Sequence, residues 1–239
     1  RDHGVRVQIS HLPSMTMGRT AACIGEIERA RTEGVDVSFD CYPYDAFCTK
    51  AGSPVFDGDL EARWNGRGPE CLEAASGKFR GQRLTHETLS AMRAEDPLGL
   101  IVAHLMDEEE IMSCLLHPDC VVISDATFIG DGAHPRVSGS FPRALRALRA
   151  KGVAWEDALA KMTSRPAERY RIDAGTIRTG GRADLVVFDP ATFEDRATFQ
   201  NPFAPPEGLK AVVVGGKIAL QDGRASDEPH GKIFRRTPR

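Results

Sequence analysis

Apolar and polar residues alternate at the start of the chain, with Val5, Val7 and Ile9 set against Arg6, Gln8 and Ser10. A period of two is the signature of a strand, and His11 stands at its exit. Pro13 and Gly18 interrupt the pattern. From Ala22 to Arg31 the spacing turns helical, with Ile24, Ile27 and Ala30 on one face, and Glu33-Gly34 closes the segment. Val35 to Asp40 is a second alternating run that leads into Cys41-Tyr42-Pro43-Tyr44. Strand, helix, strand predicts a βαβ unit with parallel strands.

Between 45 and about 83 the periodicity is lost among Gly, Pro, Asp and Arg, with a single tryptophan, Trp64. This predicts an irregular insertion with at most a short helix, of the kind that serves as a lid or stays disordered. Leu84 to Met92 reads as a helix, and Gly99 to His104 as a strand. Asp107-Glu108-Glu109-Glu110 opens another helix, acidic where the helix dipole favours anions, with Ile111, Leu115 and Leu116 on its apolar face. Cys120 to Ser124 is the next strand. Helices are expected over Ala144 to Ala150 and over Trp155 to Met162, the latter closed by Thr163-Ser164. Beyond Gly175 the texture is β-like. Ala183 to Asp189 and Leu209 to Val214 are strands, and Gly215-Gly216 joins the second to Lys217-Ile218-Ala219-Leu220 as a hairpin. A link containing Pro202, Pro205 and Pro206 precedes that hairpin, and the tail from Arg224 is polar and loosely held.

The stretch most suggestive of chemistry follows Val121-Val122-Ile123. The apolar run stops at Ser124-Asp125, a glycine-punctuated loop follows, and then His134-Pro135-Arg136 and Phe141-Pro142-Arg143. A strand that delivers an aspartate from its C-terminal end into a polar loop is how an α/β barrel presents a catalytic carboxylate. Asp125 could serve as general base and acid, or as an ordinary turn aspartate. Arg136 could hold a substrate carboxylate in bidentate fashion, or be a surface arginine. Tyr44 could donate to a substrate or an oxyanion, or cover a rim. His11, at a strand end, could be a metal ligand or a satisfied polar residue. His104 and His134 are weaker ligand candidates, and Asp107 to Glu110 suit a solvated helix start.

Composition narrows the classes. Across 239 residues, 41% are hydrophobic and 27% charged, with a net charge of -3. That balance gives no electrostatic footprint for nucleic acid or an anionic membrane. No apolar run approaches the roughly 20 residues of a membrane span. Six cysteines without C-x-x-C spacing are expected as free thiols, as in a reducing cytoplasm. No H-x-H, H-E-x-x-H, G-x-G-x-x-G or P-loop pattern is present. The chain opens on Arg1-Asp2-His3 and not on Met, which suggests a piece of a longer protein.

Several separate stretches together resemble the C-terminal half of the N-acyl-D-amino-acid deacylases (D-aminoacylases) of the amidohydrolase superfamily. They are Val7-Gln8-Ile9-Ser10-His11, Asp40-Cys41-Tyr42-Pro43-Tyr44, Ser124-Asp125, His134-Pro135-Arg136 and Phe141-Pro142-Arg143. Lys161 to Ala167, Gly175 to Asp189 and Val214-Gly215-Gly216 complete the set. The resemblance covers most of the chain outside about 45 to 100. It implies an α/β fold: the last part of a (β/α)8 metal-dependent hydrolase barrel, about strands six to eight, plus a contribution to a small β-sandwich. Residues 1–172 would be the barrel part and 173–239 the β-rich domain and tail. It further implies zinc, one or two ions, with His11 as the sixth-strand ligand and Asp125 as the eighth-strand residue that contacts metal and shuttles the proton. Tyr44 and Arg136 match substrate-binding positions, Arg136 for the carboxylate of an N-acyl-D-amino acid.

The chain departs from the family pattern in the missing first-strand H-x-H pair, bridging cysteine and fifth-strand histidine. Pro13 stands near the place of a family lysine, and Ala126 follows Asp125 where glycine is common. Two ligands are fewer than the three or four a zinc site needs. A missing N-terminal half, or self-association across an open sheet edge, is therefore expected. Two alternatives stay open: a related amidohydrolase acting on cyclic amides or dipeptides, or an inactive remnant serving as a binding or assembly module.

Overall fold

A computed structural model of the chain describes residues 4–130 and 132–234. The first strand, β1 (Val7–Ile9), leads through α1 (Leu12–Thr16) and α2 (Thr20–Thr32) to β2 (Val37–Cys41). Leaving β2, the chain makes an excursion: β3 (Phe47–Lys50), α3 (Leu60–Arg63), β4 (Leu72–Ala74), α4 (His86–Glu95) and β5 (Leu100–Ala103). It then returns through α5 (Glu108–Leu116) to β6 (Cys120–Val122).

β1, β2 and β6 form one parallel sheet with β2 in the middle. Ile9 stands opposite Phe39, and Phe39 opposite Cys120. The central strand is buried along its length, with Phe39 and Cys41 fully enclosed. A middle strand covered on both faces needs no alternation, and Val37-Ser38-Phe39-Asp40-Cys41 keeps its two polar residues only because each finds a hydrogen-bond partner. α5 presents Ile111, Cys114 and Leu115 to the core. Its acidic start is only partly solvated. Asp107 caps the helix by accepting from Glu109 and Glu110 N–H, while the Glu110 carboxylate accepts from Gly18 N (2.9 Å) and Thr20 N (3.0 Å).

The excursion corrects the expectation of an irregular loop. β3, β5 and β4 form an antiparallel sheet in that order, so the strand expected at Gly99 to His104 belongs to the insertion and not to the parallel layer. Leu72, Ala74, Leu84, Leu100 and Ile101 are almost wholly buried within it. Thr85 and Thr88 form a reciprocal capping box that starts α4 two residues later than the spacing predicts.

After β6 come a two-stranded ribbon, β7 (Phe128–Ile129) with β8 (Gly132–Ala133), and then α6 (Arg136–Ala150), α7 (Trp155–Ala160) and α8 (Ser164–Tyr170). α6 begins eight residues before the predicted Ala144. Arg136, Ser140, Ala144 and Leu148 form a buried stripe at a spacing of four. Pro142 lies inside this helix and cannot donate a backbone hydrogen bond, which is why it reads as a breaker. α8 is a further difference: Pro166 sits in its first turn, where a missing N–H costs little.

The C-terminal strands β9 (Leu185–Phe188), β10 (Leu209–Val214), β11 (Lys217–Gln221) and β12 (Arg224–Ala225) make one antiparallel sheet, ordered β12-β11-β10-β9. The Gly215-Gly216 hairpin pairs Val214 with Lys217 as the spacing predicts. Arg224 and Ala225 pair with β11, so the loosely held tail starts later than expected. Among the described residues no helix is long and apolar enough to cross a membrane.

Candidate active site

Because β1, β2 and β6 are parallel, their C-terminal ends share one edge, and His11 and Asp125 both leave from it. They leave from the strands on either side of the central one, β1 and β6, which lie two strand spacings or about 10 Å apart. His11 follows β1 in a left-handed conformation, φ 42° and ψ 53°, which a non-glycine residue adopts only when held there. Asp40, on β2 and 1% exposed, does the holding. Its carboxylate accepts from His11 N (2.5 Å), Gln8 Nε2 (2.9 Å) and Ser10 Oγ (3.2 Å). Ser14 Oγ lies 2.8 Å from His11 Nδ1 and 2.8 Å from the His11 carbonyl oxygen. With the hydroxyl proton given to the carbonyl, Nδ1–H donates to Ser14 and Nε2 keeps a free lone pair, the form a metal-ligating imidazole takes.

Asp125 also has a left-handed backbone, φ 47°. Its Oδ2 lies 3.0 Å from Arg136 Nη1, and its side chain remains 34% exposed where that of Arg136 is 2% exposed. The buried guanidinium donates from Nη2 to the Cys48 carbonyl (3.0 Å) and lies over the Tyr42 ring at 4.7 Å. Its Nε and Nη1 make no hydrogen bond within the described residues. Arg136 is thus no surface arginine, and the structure brings it together with Asp125.

Tyr44 is buried, and its hydroxyl donates to Asp195 Oδ2 at 2.8 Å. Burial and that carboxylate push the Tyr44 phenol well above its ordinary range. Arg143 stacks over the same ring at 4.7 Å. Gly139 is required where α6 passes, since a Cβ there would come within 2.1 Å of both Tyr44 Oη and Asp195 Oδ1. Asp195, in the link between β9 and β10, is a residue the sequence reading missed. A single aspartate in a polar run carries no signal of its own.

The weaker ligand candidates turn out otherwise engaged. His134 is fully buried, accepts at Nδ1 from Arg136 N (3.1 Å) and donates from Nε2 to the Ala46 carbonyl (3.1 Å). Both ring nitrogens are used, which leaves no lone pair for a metal. Burial, with the Arg136 charge, holds its pKa well below the ordinary histidine value. His104 directly follows β5, packs on Phe199 at 4.7 Å, and has Nε2 3.4 Å from Glu73 Oε2 without a hydrogen bond. All six cysteines are free.

His11 and Asp125 fit as two ligands of a zinc ion by donor chemistry, one a neutral imidazole and one a carboxylate. Among the described residues no three His, Cys, Asp or Glu side chains lie together closely enough to hold a metal. The described residues by themselves therefore hold no complete metal site.

Residues 124–220 match the model of the Amidohydrolase family. The N-acyl-D-glutamate deacylase of Alcaligenes xylosoxydans xylosoxydans is 35% identical over 244 residues, covering 99% of this chain and 49% of that protein. The D-aminoacylase of the same organism is 32% identical over 252 residues, covering 99% and 50%. The solved structure of an N-acyl-D-glutamate deacylase from Bordetella bronchiseptica holds zinc and a phosphonate mimic of the tetrahedral intermediate. It is 29% identical and superposes with a TM-score of 0.79, over 96% of this chain and 50% of that one. The chain spans about half the length of the curated relatives it matches. In sequence and in fold nearly the whole chain is similar to about half of an N-acyl-D-amino-acid deacylase, and residues 124–220 carry the match to the Amidohydrolase family model.

Proposed function

We propose that this chain carries part of the active site of a zinc-dependent deacylase that cleaves N-acyl-D-amino acids to a carboxylate and a free D-amino acid. In this reading β1, β2 and β6 are strands six to eight of a (β/α)8 barrel. Residues 1–172 belong to that barrel, and the sheet within 173–239 contributes to a small β-sandwich. The remaining ligands for one or two zinc ions lie outside the chain, and the enzyme works in the cytoplasm.

The observation that carries the reading is the buried Arg136 beside the half-exposed Asp125, at the edge that also presents His11. A guanidinium at 2% exposure is costly unless anions complete it: Asp125 supplies one at 3.0 Å from Nη1, Nε has no hydrogen bond among the described residues, and a substrate carboxylate suits the rest of the fork. Bound zinc supplies a Lewis acid and lowers the pKa of a coordinated water. His11 Nε2 and the Asp125 carboxylate would hold it from this side. Asp125 takes the proton of the attacking water at Oδ1, the oxygen not paired with Arg136, and passes it to the departing nitrogen, so that the water oxygen stays on the acyl carbon as the C–N bond breaks. Arg136 fixes the α-carboxylate and so the orientation of the amide. The Tyr44 hydroxyl donates its hydrogen bond to Asp195 and so offers the substrate a wall and an acceptor.

The test is hydrolysis of N-acyl-D-amino acids by the full-length protein, with hydantoin and dihydroorotate as competing substrate classes. Asp125→Ala should abolish turnover while the far-UV circular dichroism stays unchanged. Near-normal turnover by that variant would sink the assignment.

A further inference from the structure

Arg136 is held by more than its own side chain. Its backbone N–H, at the buried start of a helix with no capping side chain at Pro135, is taken by His134 Nδ1. The other ring nitrogen of His134 donates to the Ala46 carbonyl, and two residues further on the Cys48 carbonyl accepts from Arg136 Nη2. Residues two apart in an extended segment point their carbonyls the same way, so this stretch of the insertion offers two acceptors in register. The His134 ring is clamped edge-on by Tyr44 (5.1 Å, 85°) and by Phe199 (5.1 Å, 81°). Gly132 packs so tightly against Ala75 and Ser76 that a Cβ there would come within 2.5 Å of both. The loop after Asp125 is therefore seated on the insertion at three points.

We infer that His134 is a positioning residue for Arg136, a buried two-ended adaptor through which the insertion sheet sets the placement of the guanidinium. The inference rests on the reading of Arg136 as the carboxylate clamp. It assigns the insertion a part in substrate discrimination. His134 fixes where α6 begins, and the Cys48 carbonyl fixes where its first side chain ends. A shift of either moves the cation relative to Asp125.

The test compares N-acyl-D-amino acids with their α-carboxamides, as a ratio of kcat/KM, in the full-length protein. Arg136→Ala should collapse that ratio. His134→Phe keeps an aromatic ring between Tyr44 and Phe199 but loses both hydrogen bonds, and should lower the ratio about tenfold through KM for the carboxylate substrate. His134→Asn keeps an acceptor in the place of Nδ1 and should restore most of the discrimination. Loss on both substrates alike in His134→Phe, or no rescue by asparagine, would mean a merely structural role and overturn the inference. An unchanged ratio in Arg136→Ala would instead overturn the clamp reading, and this inference with it. Should the variants fold poorly, long-range 1H–15N correlation of the unmutated protein at neutral pH decides. A single Nε2–H tautomer for His134 supports the adaptor, and an Nδ1–H tautomer refutes it.

Discussion

The two larger antiparallel sheets among the described residues treat their surfaces in opposite ways. In the insertion, all four residues of β5 are buried, and β4 buries Leu72 and Ala74. In the C-terminal sheet Val186 is 57% exposed, Val187 51% and Ile218 54%. The buried sheet grips the candidate site through the Ala46 and Cys48 carbonyls and the Gly132 contact. Among the described residues the open sheet reaches the site through the link between β9 and β10, which delivers Asp195 to Tyr44 and Phe199 to His134. The buried sheet thus holds candidate-site residues through carbonyls at its margin, and the close burial of its own strands fixes where those carbonyls stand.

The strongest way to break this contrast is to hollow the insertion. Leu72 is fully buried on β4, paired with Ala103, and its carbonyl accepts from Leu84 N (2.9 Å). Leu72→Ala should cost about 2–5 kcal/mol in urea unfolding, the range for a leucine deleted from a packed core. A loss under about 0.5 kcal/mol would mean that the insertion is not a packed unit and cannot serve as a platform.

A smaller effect follows from the histidine that joins platform to site. His134 stays neutral in the fold because burial, and then the Arg136 charge, lower its pKa well below the ordinary value. In the unfolded chain it binds a proton below about pH 6.5. Below that pH the unfolded state holds more protons, so stability falls as pH falls, by up to about 1.4 kcal/mol per pH unit until the folded pKa is reached. The contribution is fully present above about pH 6.5. Urea unfolding at pH 7 and at pH 5.5 should show this slope, and His134→Phe should remove it. An unchanged slope in the variant would place the acid sensitivity elsewhere.

What could be read from sequence followed the same divide. The open sheet was plain because β10 and β11 are neighbours joined by Gly215-Gly216, and local pairing writes itself into local sequence. The insertion was illegible because β3 finds its partner, β5, about fifty residues away, with Phe47 opposite Ala103. Nothing in Phe47-Cys48-Thr49-Lys50 announces that pairing. β4 is three residues set among Gly and Pro, and only tertiary burial makes it a strand. His11, Tyr44, Asp125 and Arg136 could be singled out because each stands at a strand exit or beside a stiffening proline. Their partners Asp40, Ser14 and Asp195 could not, since short polar residues look alike until the fold aims them. The start of α6 was misread for a physical reason as well: Pro135 and Pro142 suggest a loop, yet the buried stripe from Arg136 to Leu148 outweighs the one donor that Pro142 removes.

The smallest expected effect sharpens the contrast most. Leu185-Val186-Val187-Phe188 is a continuous apolar run, the pattern of a strand covered on both faces, yet two of its residues are more than half exposed. Val187→Thr keeps the β-branch that suits a strand and changes one methyl to a hydroxyl. At an exposed position it should alter the urea midpoint of this chain by no more than about 0.5 kcal/mol in free energy. If the outer face is covered in the full-length protein, as a β-sandwich requires, the same substitution there buries an unpaired hydroxyl and should cost about 1–3 kcal/mol. Equal small losses in both would leave the sheet open on that side, and the difference between the two sheets would then be intrinsic to them and not a consequence of how much of the protein surrounds them.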